Sequence, residues 1–193
     1  DKSFERGIIM SNAFAVNQGF RSSTLREQML SHMFIADLIQ EVWFVCKQTI
    51  EVLRSETDSA GYDSVPEYNG ITRHIQLKSS RMSSKTQSHS VSLEPGKKPS
   101  GYLVWLKVGV DVTGRKALTN YHFFSADPGK PLSAISTFAI TRQPRGNAQH
   151  VKEVRLGHPK MPVSRFEKVP NVQELTNKLF ELPREEFSFE STN

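Results

Sequence analysis

The sequence contains one cysteine, Cys46, among 193 residues. A single thiol cannot form an intramolecular disulfide, and a cysteine-based zinc site needs several thiolates at short spacing. Because stable disulfides belong to oxidising compartments, their exclusion favours a reducing, cytoplasmic setting. The chain also lacks any apolar run near the ~20 residues that span a bilayer, so no membrane partner is expected.

Two common enzyme signatures are missing as well. No Gly-x-Ser-x-Gly segment is present, which excludes the strained serine elbow of many hydrolases. No Gly-x-x-x-x-Gly-Lys loop is present to cradle a nucleotide phosphate. The sequence therefore supports neither a hydrolase of that type nor a nucleotide-driven enzyme.

The length of 193 residues fits one domain. We interpret residues 1–20 as a flexible N-terminal segment or a vector-derived remnant, with Met10 as a natural start. Residues 21–193 are then predicted to form a single domain.

The net charge of +5 is concentrated in one stretch, because residues 141–170 contain seven Lys or Arg against two Glu. Glycine and proline interrupt this stretch, which predicts an extended basic arm able to follow a phosphate backbone. A solvated surface loop is the alternative. The candidate nucleic-acid-binding residues are those of the arm and two from the serine-rich segment 79–101: Arg142, Arg145, Lys152, Arg155, Lys160, Arg81 and Lys85.

Apolar spacing predicts a long helix over residues 22–46. Thr24 and Glu27 have the spacing of a capping box at its start. The apolar residues at helical spacing are expected to form one buried stripe, listed as Leu25, Met29, Met33, Ile35, Leu38, Ile39 and Val42.

Several strands follow in the predicted order. Strands are expected over 49–56, 62–65 and 71–78, with a tight hairpin turn at Asn69-Gly70. A long loop over 79–101 precedes a strand at 102–110, apolar enough to be buried on both faces, and another at 118–124. A short helix over 131–140 and a terminal helix over 171–182, capped by Asn171, complete an α/β (α+β mixed sheet) fold.

Alternation along 71–78 places Gln76 and Lys78 on one face of the strand, with Ile75 and Leu77 on the other as core anchors. Asp63 begins the partner strand across the hairpin. A carboxylate, an amide oxygen and an ammonium are thereby brought close together. Magnesium prefers oxygen ligands, and an ammonium can stabilise the charge that develops at a phosphate.

These residues resemble a known signature. Gly61-Tyr62-Asp63, followed by a hairpin and Ile75-Gln76-Leu77-Lys78, is similar to the motif of the PD-(D/E)XK nuclease superfamily, including uncharacterised prokaryotic relatives that carry glutamine. The resemblance covers roughly residues 24–125 and implies a restriction-endonuclease-like αβββαβ core with flanking helices. The sequence departs from the motif where Tyr62 replaces a proline and where Gln76 replaces an acidic residue.

The resemblance also implies roles for four residues. Asp63, Gln76 and Glu27 would bind Mg²⁺ or Mn²⁺, and Lys78 would position or activate the attacking water. The implied function is a metal-dependent endonuclease that hydrolyses DNA phosphodiester bonds. The sequence leaves open whether RNA takes the place of DNA and whether the protein forms a homodimer. The alternatives are a catalytically silent nucleic-acid-binding or regulatory module, and a protein-interaction domain of a defence or toxin system.

Each site residue also has a purely structural interpretation. Asp63 is a favoured turn residue, and Gln76 with Lys78 could form the solvated face of an edge strand. The capping box explains Glu27 without a metal. His89 lies in the serine-rich segment, where it is expected only to solvate the loop.

Overall fold

The computed structural model describes residues 21–55, 57, 61–98, 100–113, 117–126, 130–142 and 154–182. Its helices are α1 (Arg21–Phe44) and α2 (Val172–Phe180). The strands in chain order are β1 (Glu51–Arg54), β2 (Ser64–Tyr68), β3 (Ile71–Thr72), β4 (His74–Arg81), β5 (Ser88–Ser90), β6 (Gly101–Val110), β7 (Ala117–Phe124), β8 (Ile140–Arg142), β9 (Val154–Pro162) and β10 (Glu167–Val169).

The described strands form two sheets. The larger has seven strands in the order β1-β2-β4-β6-β7-β10, with β3 paired to β2. Within it β4 and β6 are parallel, and the other pairs are antiparallel. The smaller sheet has the order β5-β9-β8. A mixed sheet with helices confirms the predicted α/β class.

The central strand β6 separates two apolar cores. Tyr102, Val104 and Leu106 pack on the side of α1 and α2, whereas Leu103 and Trp105 pack against the 3₁₀ segments and the smaller sheet. This strand is therefore buried on both faces, as predicted. Both faces of the large sheet are covered in this region, so polar side chains there need partners.

Helix α1 buries Leu38 and Val42 of the predicted stripe, together with Leu30 and Phe34, which that stripe did not include. These residues, spaced four positions apart, enter the core. Leu25, by contrast, is 64% exposed, and Met29 and Ile39 are exposed as well. The prediction was wrong for these residues because apolar side chains surround much of the helix, and periodicity alone does not choose between faces.

Local signals at the turn and the last helix are confirmed. Asn69 and Gly70 have φ angles of 51° and 75°, the left-handed values that a tight hairpin turn requires. Asn171 caps α2, because its Oδ1 accepts a hydrogen bond from the Glu174 N–H at 2.9 Å.

Three segments differ from the predictions. Residues 79–101 contain β5 and a 3₁₀ turn, and 131–140 contain a 3₁₀ helix rather than an α-helix. The stretch 141–170 is not an extended loop where the structure describes it, since β9 and β10 lie within it. The backbone of β9 pairs with β5 and β8, whereas the glycines and prolines of this stretch had predicted a loop.

A buried arginine fastens the C-terminal helix to the sheet. The Arg73 guanidinium donates to the Leu179 carbonyl, forms an ion pair with Glu181 at 2.6 Å and lies over the Tyr102 ring. The Leu179 carbonyl belongs to the last turn of α2, where carbonyls have no partner within the helix. Arg73 thus satisfies an end of α2 while holding it against the first core. No helix among the described residues has the length and apolar character needed to cross a membrane.

Candidate functional site

All four residues implied by the nuclease motif line one cavity of about 340 Å³. Glu27 and Ser31 contribute from α1, Asp63 from the approach to β2, and Gln76 and Lys78 from β4. Glu27 and Lys78 are 51 positions apart in the sequence. The fold therefore brings together the residues that the motif singled out.

The cavity lies where β2 separates from β4. The two strands share one register pair, Ser64 with Ile75, extended by the Asp63 N–H donating to the Ile75 carbonyl at 2.8 Å. Beyond that point β4 continues along β6 to Arg81. One edge of β4 thus faces a space that α1 closes from the side.

Asp63 continues the strand pairing with its side chain. Its Oδ2 accepts a hydrogen bond from the Leu77 N–H at 2.6 Å. A backbone donor that β2 does not reach is thereby satisfied by a carboxylate, which fixes the position of that carboxylate at the cavity wall. Asp63 therefore lines the cavity with one carboxylate oxygen bonded to the main chain of β4.

Gln76 is 3% exposed, and its amide bonds to the main chain at both ends. Its Nε2 donates to the Gly61 carbonyl at 2.7 Å, and its Oε1 accepts from the Ser92 N–H at 2.9 Å. The interpretation as a solvated edge face was wrong for Gln76, because β4 lies between β2 and β6 and its second face is covered. Gln76 ties three chain segments together at the rear of the cavity.

Gly61 is required for this arrangement. It has φ +69°, and a Cβ built there would lie 2.4 Å from the Ser92 Oγ and 2.9 Å from the Glu94 Cβ. A larger residue would push the Ser92 segment away and break both contacts of the Gln76 amide. The glycine of the Gly61-Tyr62-Asp63 motif therefore serves the frame of the site.

Sequence reasoning missed His89 as a site residue. It lines the cavity, and its ring packs edge-to-face on Trp105 with ring centroids 4.3 Å apart. Its Nε2 is buried and has no hydrogen-bond partner among the residues that the structure describes. Burial, with a smaller contribution from the positive charge of Lys78, lowers the pKa of His89 to about 4. His89 is thus a neutral base at pH 7, and only the pairing of β5 with β9 reveals it.

The lowered pKa of His89 predicts that the folded protein is less stable at acid pH. The unfolded chain binds a proton at His89 near pH 6.5, whereas the folded chain resists it until about pH 4. Stability is therefore lost as the pH falls below 6.5. The free energy of unfolding of the wild type should therefore fall between pH 7 and pH 5. We expect this fall to be smaller by about 1 kcal/mol in His89→Phe, after allowance for the partial exposure of the ring.

Urea unfolding at both pH values measures this difference, with the exposed His32→Phe as the matched control. If the free energy of unfolding falls as much in His89→Phe as in the wild type, the burial of this ring is not coupled to protonation.

The capping interpretation of Glu27 was wrong. Helix α1 already includes Arg21, so Thr24 lies three residues inside the described helix and is not its N-cap. Glu27 and Ser31 are four residues apart, on the same face, and both border the cavity.

The structure describes five of the seven predicted nucleic-acid-binding residues. Lys160 is exposed on β9, and Arg81 and Lys85 are exposed at and after the end of β4. Arg142 and Arg155 belong to β8 and β9. Arg145 and Lys152 lie outside the described residues.

Two carboxylates, those of Glu27 and Asp63, line the cavity. Mg²⁺ is commonly held by one or two carboxylates and retains several waters, and Glu27 and Asp63 offer two carboxylates beside a space of about 340 Å³. Among the described residues, no three His, Cys, Asp or Glu side chains are grouped so that they could hold a metal ion. Any ion here would depend on two acidic residues, water and the substrate.

Comparison of the chain with family models, with curated proteins and with solved structures gives no match.

Proposed function

We propose that this protein is a metal-dependent nuclease that hydrolyses phosphodiester bonds in DNA, with a restriction-endonuclease-like core. The observation that carries the proposal is the convergence of Glu27, Asp63, Gln76 and Lys78 on one cavity. The fold supports it further, because α1 is followed by the antiparallel strands β1, β2 and β4 and then by β6 parallel to β4. The crossover between β4 and β6 departs from the expected core, since its described residues contain β5 and a 3₁₀ turn in place of an α-helix.

The residues divide into three roles in this proposal. Glu27 and Asp63 would hold Mg²⁺ or Mn²⁺, which supplies Lewis-acid activation of water and neutralises phosphate charge when bound. The Lys78 ammonium stabilises the additional negative charge on the phosphoryl oxygens as water adds. Gln76 holds the Gly61 and Ser92 segments in place beside the cavity through its two main-chain contacts.

The overall reaction is hydrolysis. A water oxygen forms a bond to phosphorus, one P–O ester bond breaks, and the proton from water ends on the alcohol oxygen that leaves. No redox change occurs, and the products are a phosphate monoester end and a hydroxyl end.

Metal dependence tests this function directly. We expect supercoiled plasmid to be nicked in the presence of Mg²⁺ or Mn²⁺ and to remain intact in EDTA, because two carboxylates and one ammonium do not activate water alone. Gel electrophoresis after timed incubation measures the cut fraction. Nicking that continues in EDTA would contradict the proposal.

A specific observation favours a second candidate, a catalytically silent DNA-binding module. The neutral Gln76 occupies the acidic position of the motif and its amide is already engaged with the main chain. Binding of plasmid DNA without nicking under either metal would identify the protein as this module.

A further inference from the structure

A second cavity, of about 380 Å³, adjoins the first. Leu30, Ser79 and His89 border both, so the two spaces are neighbours along the exposed edge of β4. We propose that this second cavity is a subsite for a backbone phosphate of the same DNA strand, next to the bond that is cut. This assignment rests on the proposed function.

The charge of the second cavity differs from that of the first. Arg26 from α1 and Arg81 from the end of β4 line it, and none of the described residues that line it is Asp or Glu. Neither guanidinium takes part in an ion pair or hydrogen bond within the described part of the chain. Two arginines with no competing carboxylate favour a phosphate oxygen, which a guanidinium can bind with two parallel hydrogen bonds.

Helix geometry directs neighbouring residues into different cavities. Arg26 lines the second cavity, Glu27 and Ser31 line the first, and Leu30 lies between them and borders both. On β4, Lys78 lines the first cavity and Arg81 the second, about 10 Å further along at about 3.3 Å per residue.

Serine and threonine hydroxyl groups also line the subsite, and hydrogen bonds within the protein hold them in place. The Ser84 Oγ is bonded to the Thr86 Oγ1 at 2.6 Å, and the Ser84 N–H donates to the Arg81 carbonyl at 3.0 Å. The Ser80 Oγ accepts from the Trp105 Nε1 at 2.9 Å. The Met82 N–H donates to the Val108 carbonyl at 2.8 Å, which anchors the turn to β6. The wall that carries Arg81 is therefore preformed, and binding a phosphate there requires little ordering.

Binding in EDTA tests the subsite separately from catalysis. We expect Arg26→Gln and Arg81→Gln each to weaken binding of a fluorescent 20-base-pair DNA duplex about tenfold at fixed salt, measured by fluorescence anisotropy, because each removes a charged hydrogen bond. Each change is also expected to reduce the slope of log Kd against log salt by about 0.9. Arg26→Lys and Arg81→Lys should retain most of the salt dependence, which separates lost charge from altered folding.

Lys130→Gln is the matched control, since Lys130 is exposed and lies outside the basic arm and outside the lining of both cavities. An equal loss in this control, or no binding by the wild-type protein at low salt, would overturn the subsite. If the wild type binds DNA through Arg26 and Arg81 but never cuts plasmid under metal, the phosphate site stands and the proposed nuclease activity fails.

Discussion

Asp63→Asn and Lys78→Met are each expected to reduce DNA cleavage by about 10²- to 10³-fold, the usual range for removing one charged group from a preorganised site. The asparagine keeps an oxygen able to accept the Leu77 N–H, so the strand junction survives while the carboxylate charge is lost. The methionine keeps the length and apolar stem of Lys78 and removes only its ammonium. Initial rates of plasmid nicking under saturating Mg²⁺ measure both effects.

Two further measurements make that result specific. Duplex binding in EDTA should weaken no more than about tenfold for Lys78→Met, which removes one cation beside the phosphate. The midpoint of thermal unfolding should change little, because neither variant removes a core contact. Glu67→Gln and Lys130→Met are matched controls, since both residues are exposed and outside the lining of the cavity. Cleavage that persists in both Asp63→Asn and Lys78→Met would remove these residues from the proposed catalytic site.

Gln76→Glu is expected to destabilise the fold by about 3 kcal/mol at pH 8, the scale of a buried charge that faces an acceptor. One oxygen of the introduced carboxyl can still accept the Ser92 N–H, whereas the other would face the Gly61 carbonyl, which is also an acceptor. Burial and this repulsion raise the pKa of the introduced carboxyl. A raised pKa in the folded state means that stability is retained at low pH and lost as the pH rises through that value.

Urea unfolding at pH 5 and pH 8 measures the loss and its pH dependence. Gln76→Leu is the companion variant: it leaves the Gly61 carbonyl and the Ser92 N–H without partners and should cost about 2–4 kcal/mol at both pH values. If Gln76→Glu is as stable as the wild type at pH 8 and binds Mg²⁺ more tightly, position 76 is a metal ligand and its role as a frame residue is wrong.

Local sequence signals predicted local structure well. The Asn69-Gly70 turn, the Asn171 cap and the buried strand β6 all follow from the conformational preferences of a few adjacent residues. Part of the candidate site could also be predicted from the sequence, because alternation along β4 placed Gln76 and Lys78 on one side of the strand. These features depend on neighbours within a few positions along the chain.

Long-range packing decided what the sequence did not. The face of α1 that is buried, the strand that places His89 against Trp105, and the direction of Arg26 into a second cavity all depend on segments far apart in the chain. Apolar residues on several sides of α1 allow more than one orientation, and the contact with β4, β6 and α2 selects one.

Gln76 shows the same division most clearly. The sequence determined by itself that an amide, a carboxylate and an ammonium would meet at one end of a hairpin. The tertiary structure decided that this amide is buried and fastened to Gly61 and Ser92, because a covered second face leaves a polar side chain no solvent to bond with.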